Sequence, residues 1–150
     1  MTYLLDTNIL LIYLRDNATR QWIDKTHAPL GAGNIPVISV VSVGEIRSLA
    51  LRNNWGKQKQ QQLEALLNQL VVADINAEDV FERYAEVDAF SQGKLIGRPL
   101  GQSARNMGKN DLWIAATASV AHARLLTTDA DFSHLDSSFI ELVKIEILEN

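Results

Sequence analysis

The sequence predicts an α/β fold in which a mainly parallel sheet of about five strands lies between two helical layers, and three observations predict it. Short apolar runs alternate along the chain with segments whose apolar residues recur every three and four positions. Two of those runs end in a carboxylate, Leu4-Leu5-Asp6 and Leu125-Leu126-Thr127-Thr128-Asp129. No internal repeat, low-complexity tract or linker interrupts the alternation. The 150 residues, 47% of them hydrophobic, suit one domain that buries about two thirds of its unfolded surface.

Residues 2–5 read as the first strand, and Ile9, Leu10, Tyr13 and Leu14 as one face of the helix that follows. Residues 36–40 form the second strand. The helix after it spans about 42–53, with Val43, Ile46, Leu49 and Ala50 on one face and Ser42-Val43-Gly44-Glu45 as a capping box. Gly56 separates it from a helix over 57–70, in which Leu63, Leu66, Leu67 and Leu70 are spaced three and four apart. Residues 71–75 are the third strand. Asn76 is an N-cap for a helix over 77–90, ended by Gly93. Residues 92–108 carry Gly93, Gly97, Pro99, Gly101 and Gly108 without a sustained period, so they read as a loop long enough to act as a lid. Asn110 then caps a helix over 111–123, whose alanines allow close approach to the sheet. Residues 124–127 are the fourth strand, running on to Asp129, and 139–148 the fifth.

The chain has no cysteine, which excludes disulfides, thiolate zinc sites and cysteine nucleophiles and permits a reducing compartment. No run approaches the ~18 apolar residues of a membrane span, and no basic residue precedes the opening apolar run. The expected location is therefore the cytoplasm, without a membrane anchor. A net charge of −4 gives no whole-protein argument for nucleic-acid binding. The distribution is more informative. Residues 46–63 contain Arg47, Arg52, Lys57 and Lys59, residues 89–110 contain Lys94, Arg98, Arg105 and Lys109, and neither stretch holds an acid. Each, taken singly, also fits an ordinary solvated face.

In a parallel α/β sheet, ligands bind beyond the carboxyl ends of the strands, where strand order reverses. Asp6 and Asp129 end strands there, while Glu45 and Asp111 fall in the first turns of helices. Each acid alone has a structural explanation as a cap, a helix-dipole partner or a turn residue. Together at one edge they would require protonation or a counter-charge, and a divalent cation supplies it. An all-oxygen donor set, with no cysteine and no histidine at useful spacing, favours Mg²⁺ or Mn²⁺ over Zn²⁺. One or two such ions suit hydrolysis of a phosphodiester. The basic stretches adjoin Glu45 and Asp111, so Arg47, Arg98, Arg105 and Lys109 are candidates to hold a polyphosphate backbone. Trp113, beside Asp111, is expected to pack rather than to stack on a base. His27, His122 and His134 share no spacing that assigns them a role.

At these residues the sequence resembles a PIN domain, and within that family the VapC-type toxin ribonucleases of type II toxin-antitoxin systems. Leu5-Asp6-Thr7-Asn8-Ile9-Leu10 is similar to the family's first motif and Ser39-Val40-Val41-Ser42-Val43-Gly44-Glu45 to its second. The third corresponds to Asn110-Asp111-Leu112-Trp113-Ile114-Ala115-Ala116-Thr117-Ala118 and the fourth to Leu126-Thr127-Thr128-Asp129-Ala130-Asp131-Phe132. The resemblance runs from Thr2 to Phe132 and implies a three-layer α/β/α endoribonuclease. It implies Asp6 and Asp111 as main metal ligands, with Glu45 and Asp129 completing the set through water or directly, and Asp131 as a substitute for Asp129. Thr7, Asn8 and Thr128 would orient carboxylates or water. The family further implies a homodimer and a cognate antitoxin whose terminal segment occupies the groove, an arginine of it pairing with the acids. The 92–108 segment is generous for this family. Two other readings remain beside this one: a catalytically silent PIN-like module that binds RNA or protein, and a phosphoryl-transfer domain. Against the latter, Asp6-Thr7-Asn8 lacks a second aspartate two residues on and no lysine ends a late strand.

Overall fold

The computed structural model, which describes residues 1–15 and 17–149, begins with β1 (Thr2–Leu5), α1 (Thr7–Tyr13), α2 (Ala18–Thr26) and β2 (Ile35–Ser39). It continues through α3 (Val40–Arg52), α4 (Lys57–Leu67), β3 (Val71–Ala73), α5 (Glu78–Ser91) and α6 (Lys109–Val120). β4 (Arg124–Thr127), a 3₁₀ helix (Ala130–Leu135) and β5 (Glu141–Lys144) complete it. The strands form one sheet in the order β3-β2-β1-β4-β5, and every neighbouring pair is parallel.

Side chains alternate across a strand, and this alternation divides the core into two layers. Tyr3 and Leu5 of β1, Ile38 of β2 and Leu126 of β4 pack with α1 to α4 through Ile9, Leu10, Ile23, Ile46 and Leu63. Their neighbours Leu4, Val37 and Leu125 face the other way, onto α5, α6 and the 3₁₀ helix through Val87, Phe90, Ile114 and Phe132. Strands buried on both faces explain why these runs are apolar throughout rather than alternating. Ala115, Ala116 and Ala118 of α6 are fully buried, as the alanine-rich sequence leads one to expect. Trp113 packs on Tyr84 and Phe81 of α5, with ring centroids 4.2 and 6.2 Å apart. Among the described residues no helix is long and apolar enough to cross a membrane.

Several local expectations are corrected. α3 begins at Val40 because the Ser39 side chain, not Ser42, caps it by accepting from the Val41 N–H at 3.1 Å. The capping box at Ser42 is therefore absent, and Glu45 lies beyond the first turn. α5 takes Ala77 as N-cap rather than Asn76, whose own N–H donates to the Asp74 carboxylate. α6 takes Gly108 rather than Asn110, which places Asn110 inside the first turn. α4 stops at Leu67, β3 at Ala73, and β5 covers only Glu141–Lys144.

Two elements were not foreseen. α2 buries only Thr19 and Ile23, too few residues to produce a helical period, and its legible signal is Asn17, whose side chain accepts from the Arg20 N–H. The 3₁₀ helix is capped by Asp129 and tied to the end of α5 by His134, whose Nε2 lies 2.7 Å from the buried Ser91 hydroxyl.

Candidate active site

The order of the strands decides where the site lies. The chain builds β1, β2 and β3 in one direction, then returns to place β4 and β5 on the other side of β1, so the reversal falls between β1 and β4. Asp6 follows β1 and Asp129 follows β4, and both come to that crevice. Asp6 is only 5% exposed, and both of its carboxylate oxygens are held: Thr7 N–H donates to Oδ1 at 2.8 Å and the Thr127 hydroxyl to Oδ2 at 2.7 Å. The same Thr127 oxygen accepts from the Asp129 N–H at 3.0 Å, so a single hydroxyl ties the ends of both strands together.

Asp6, Glu45, Asp111 and Asp129 all line one pocket of about 750 Å³. Glu45 reaches it from the second turn of α3, where Oε1 accepts from the Thr7 hydroxyl at 3.1 Å. Asp111 enters from the first turn of α6. Asp129 is oriented by the Asp131 N–H, which donates to Oδ1 at 2.9 Å. Asp111, Asp129 and Asp131 each bring a carboxylate oxygen to within 4.8 Å of the other two. Asp131 is exposed whereas Asp129 is half-buried and part of the pocket wall.

The electrostatics follow from this crowding. Burial raises the Asp6 carboxyl above its ordinary 3.8, with Glu45 and Asp129 adding to the rise and the Thr127 and Thr7 hydrogen bonds opposing it. Asp111 is pushed up to about 7, by desolvation first and then by the charges of Asp6, Asp129, Asp131 and Glu45. Among the described residues no lysine, arginine or histidine forms an ion pair with these acids. A convergent, oxygen-only, uncompensated donor set fits a hard divalent cation.

The other candidates divide. Thr7 and Asn8 line the pocket. Thr128 opens instead onto an adjacent cleft, shared with Leu11, Arg15 and Leu148, and Thr127 makes the contacts to the acids. Its signal was available, since it is the last residue of a strand that points into the crevice. Arg47 pairs with Glu64 at 3.4 Å and is not among the pocket's residues. Arg98 stacks on Phe139 at 3.9 Å and donates to the Ser138 carbonyl, so the structure does not bring it to the acids either. Arg105 lines a small cleft with Asp131, and Lys109 opens α6 two residues before Asp111. Arg52, noted in the sequence only as part of a basic stretch, is, among the described residues, the one basic side chain that lines the acidic pocket.

Fold and site together define a class: a three-layer α/β/α domain with a carboxylate-lined pocket at the switch point of a parallel sheet. The chain belongs to the PIN domain family, whose model matches residues 3–137. Solved structures with similar chains include VapBC2 from Rickettsia felis bound to a DNA fragment from its promoter, at 22% identity and a TM-score of 0.75 over 97% of this chain and 100% of that one. VapBC-1 from nontypeable Haemophilus influenzae is 27% identical, with a TM-score of 0.72 over 96% of this chain and 98% of that one. FitAB bound to an IR36 DNA fragment is 24% identical, with a TM-score of 0.72 over 100% and 99%. No curated protein sequence matches the chain.

Proposed function

We propose that this PIN domain is the toxin of a toxin-antitoxin pair, an endoribonuclease that hydrolyses RNA phosphodiester bonds with Mg²⁺ or Mn²⁺. The observation that carries the reading is the convergence of four carboxylates, from the ends of β1 and β4 and from α3 and α6, on a pocket in which none of them forms an ion pair among the described residues. Asp6 and Asp111 are the main ligands in this reading, Glu45 and Asp129 complete the set, and Asp131 is close enough to Asp111 to stand in for Asp129. A cation held by these carboxylates would lower the pKa of a water and offset the negative charge that builds on the phosphate oxygens.

The chain's own residues provide the positioning. Thr127 and Thr7 fix the direction of the Asp6 oxygens, Thr7 restrains Glu45, and the Asp131 N–H restrains Asp129. Arg105 and Lys109 flank the acids on the α6 side and suit contact with an RNA backbone. The similarity to VapBC and FitAB chains supports a cognate antitoxin as partner, and the proposal includes a homodimer that acts in the cytoplasm, where RNA is available. Incubation of the purified chain with RNA and Mg²⁺ or Mn²⁺ tests the activity: cleavage is expected, and is expected to stop with chelator and in Asp6→Asn and Asp111→Asn. Cleavage indifferent to chelator, or retained in both variants, would remove the assignment.

A further inference from the structure

Glu45, Ser48, Leu49 and Arg52 all line the acidic pocket. Their spacing of three, four and seven residues makes them a single stripe along α3. The stripe runs from acid to base. Glu45, half-buried, lies at the inner end, while Arg52, exposed, lies about 10 Å further along the helix axis at ~1.5 Å per residue. The carboxylates therefore occupy the interior of the pocket and a cation stands at its mouth.

Arg52 also differs from Arg47 and Lys59 of its own basic stretch and from Arg98 of the other. Arg47 is paired with Glu64, Lys59 rests over the Trp55 ring at 4.0 Å, and Arg98 is held on Phe139. Arg52 makes no ion pair or hydrogen bond with any described side chain, although the pocket it lines holds four acids. A guanidinium that shares a pocket with carboxylates yet pairs with none of them is free to take an anion from outside. Its place in the last turn of α3 also complements the helix dipole, a role that would affect folding and not ligand.

We propose that Arg52 is a phosphate-binding residue that holds a backbone phosphate of single-stranded RNA on the α3 side of the pocket, beside the phosphate positioned for cleavage. The inference rests on the ribonuclease reading and names the side from which the strand enters. With Arg105 and Lys109 on the α6 side, it sets the strand across the acids from α3 towards α6.

The test is binding of a fluorescein-labelled, single-stranded RNA of mixed sequence, followed by anisotropy against KCl concentration in Ca²⁺ buffer, for the parent chain, Arg52→Ala and Arg52→Lys. Loss of one phosphate contact is expected to weaken binding roughly two- to fivefold and to lower the salt slope by ~0.7. Arg52→Lys is expected to restore most of the slope. In cleavage assays Arg52→Ala is expected to raise KM with kcat unchanged, the mark of a contact made equally in ground and transition states. Unaltered affinity and slope in Arg52→Ala, or no RNA binding by the parent chain, overturns the proposal. A change in melting temperature alone, with binding intact, assigns Arg52 to the helix dipole and overturns it equally. Cleavage by the parent chain in Mg²⁺ or Mn²⁺ is scored separately, so loss of the Arg52 contact and loss of the nuclease reading give different results.

Discussion

The Asp6 carboxylate is aimed by two hydrogen bonds and neutralised by neither, so its orientation depends on Thr127. Thr127→Val keeps the shape but leaves Asp6 Oδ2 and the Asp129 N–H without their partner inside a buried crevice. A cost of about 1–2 kcal/mol in denaturant unfolding is expected, together with at least a roughly tenfold loss of cleavage, the usual penalty for removing a group that orients a metal ligand. Thr127→Ser is expected to recover most of both, and activity unaffected by the valine would show that the hydroxyl does not orient Asp6. Asp111 makes a different prediction, because its carboxyl is raised from 3.8 to about 7. Folding is penalised where that group is ionised: the penalty is absent below about pH 4, grows as pH rises, and is complete above about pH 7. In chelator, Asp111→Asn should therefore melt above the parent chain by a margin that widens from pH 4 to pH 7 and then levels. A margin that is constant or narrows over that interval contradicts the crowding of the acids.

At the scale of elements, α3 shows what sequence can and cannot locate. Its period is plain in Val43, Ile46, Leu49 and Ala50, yet Ser39 and Ser42 both offer a capping hydroxyl, and the fold decides between them because the backbone is still extended at Ser39 and already helical at Ser42. Ser39→Ala is expected to lower stability by about 1 kcal/mol. Ser42→Ala is expected to be neutral or slightly stabilising, since its hydroxyl is buried and makes no hydrogen bond. Equal losses in the two variants by denaturant titration would contradict the cap at Ser39. β1, β2 and β4 were legible because burial leaves their runs apolar, whereas the partly exposed edge strands β3 and β5 were read too long, and α6 was legible because buried alanines follow Asp111 over its first two turns. α2 was not, since a helix that buries two residues leaves no period to read. The acids were legible through the strands and helices that end or begin at them. The basic residues were not, because the face of α3 that meets the pocket is set by the packing of Ile46 and Ala50, and that packing leaves the exposed Arg52 on the pocket's rim and Arg47 against Glu64.

Across the whole molecule, the acidic pocket lies between the halves of the sheet, so whatever neutralises it acts on the stability of the complete fold. β1 is the central strand, and its end is joined to β4 through Asp6, Thr127 and Asp129. A divalent cation that binds the folded chain and not the unfolded one adds RT ln(1 + [L]/Kd), about 2.7 kcal/mol at a hundred times its Kd. For a chain of 150 residues that corresponds to a rise in melting temperature of roughly 5–10 °C. Mg²⁺ or Mn²⁺ added to the chelated protein is expected to produce such a rise, dependent on cation concentration, whereas KCl at matched ionic strength is not. The rise should be larger at pH 8 than at pH 5, because protons occupy Asp111 below about 7 and compete with the cation. Asp6→Asn combined with Asp111→Asn should remove it. A melting temperature that responds equally to K⁺ and Mg²⁺, or a Mg²⁺ response that survives in the double variant, would mean that the cation binds elsewhere and that the pocket is held together without one.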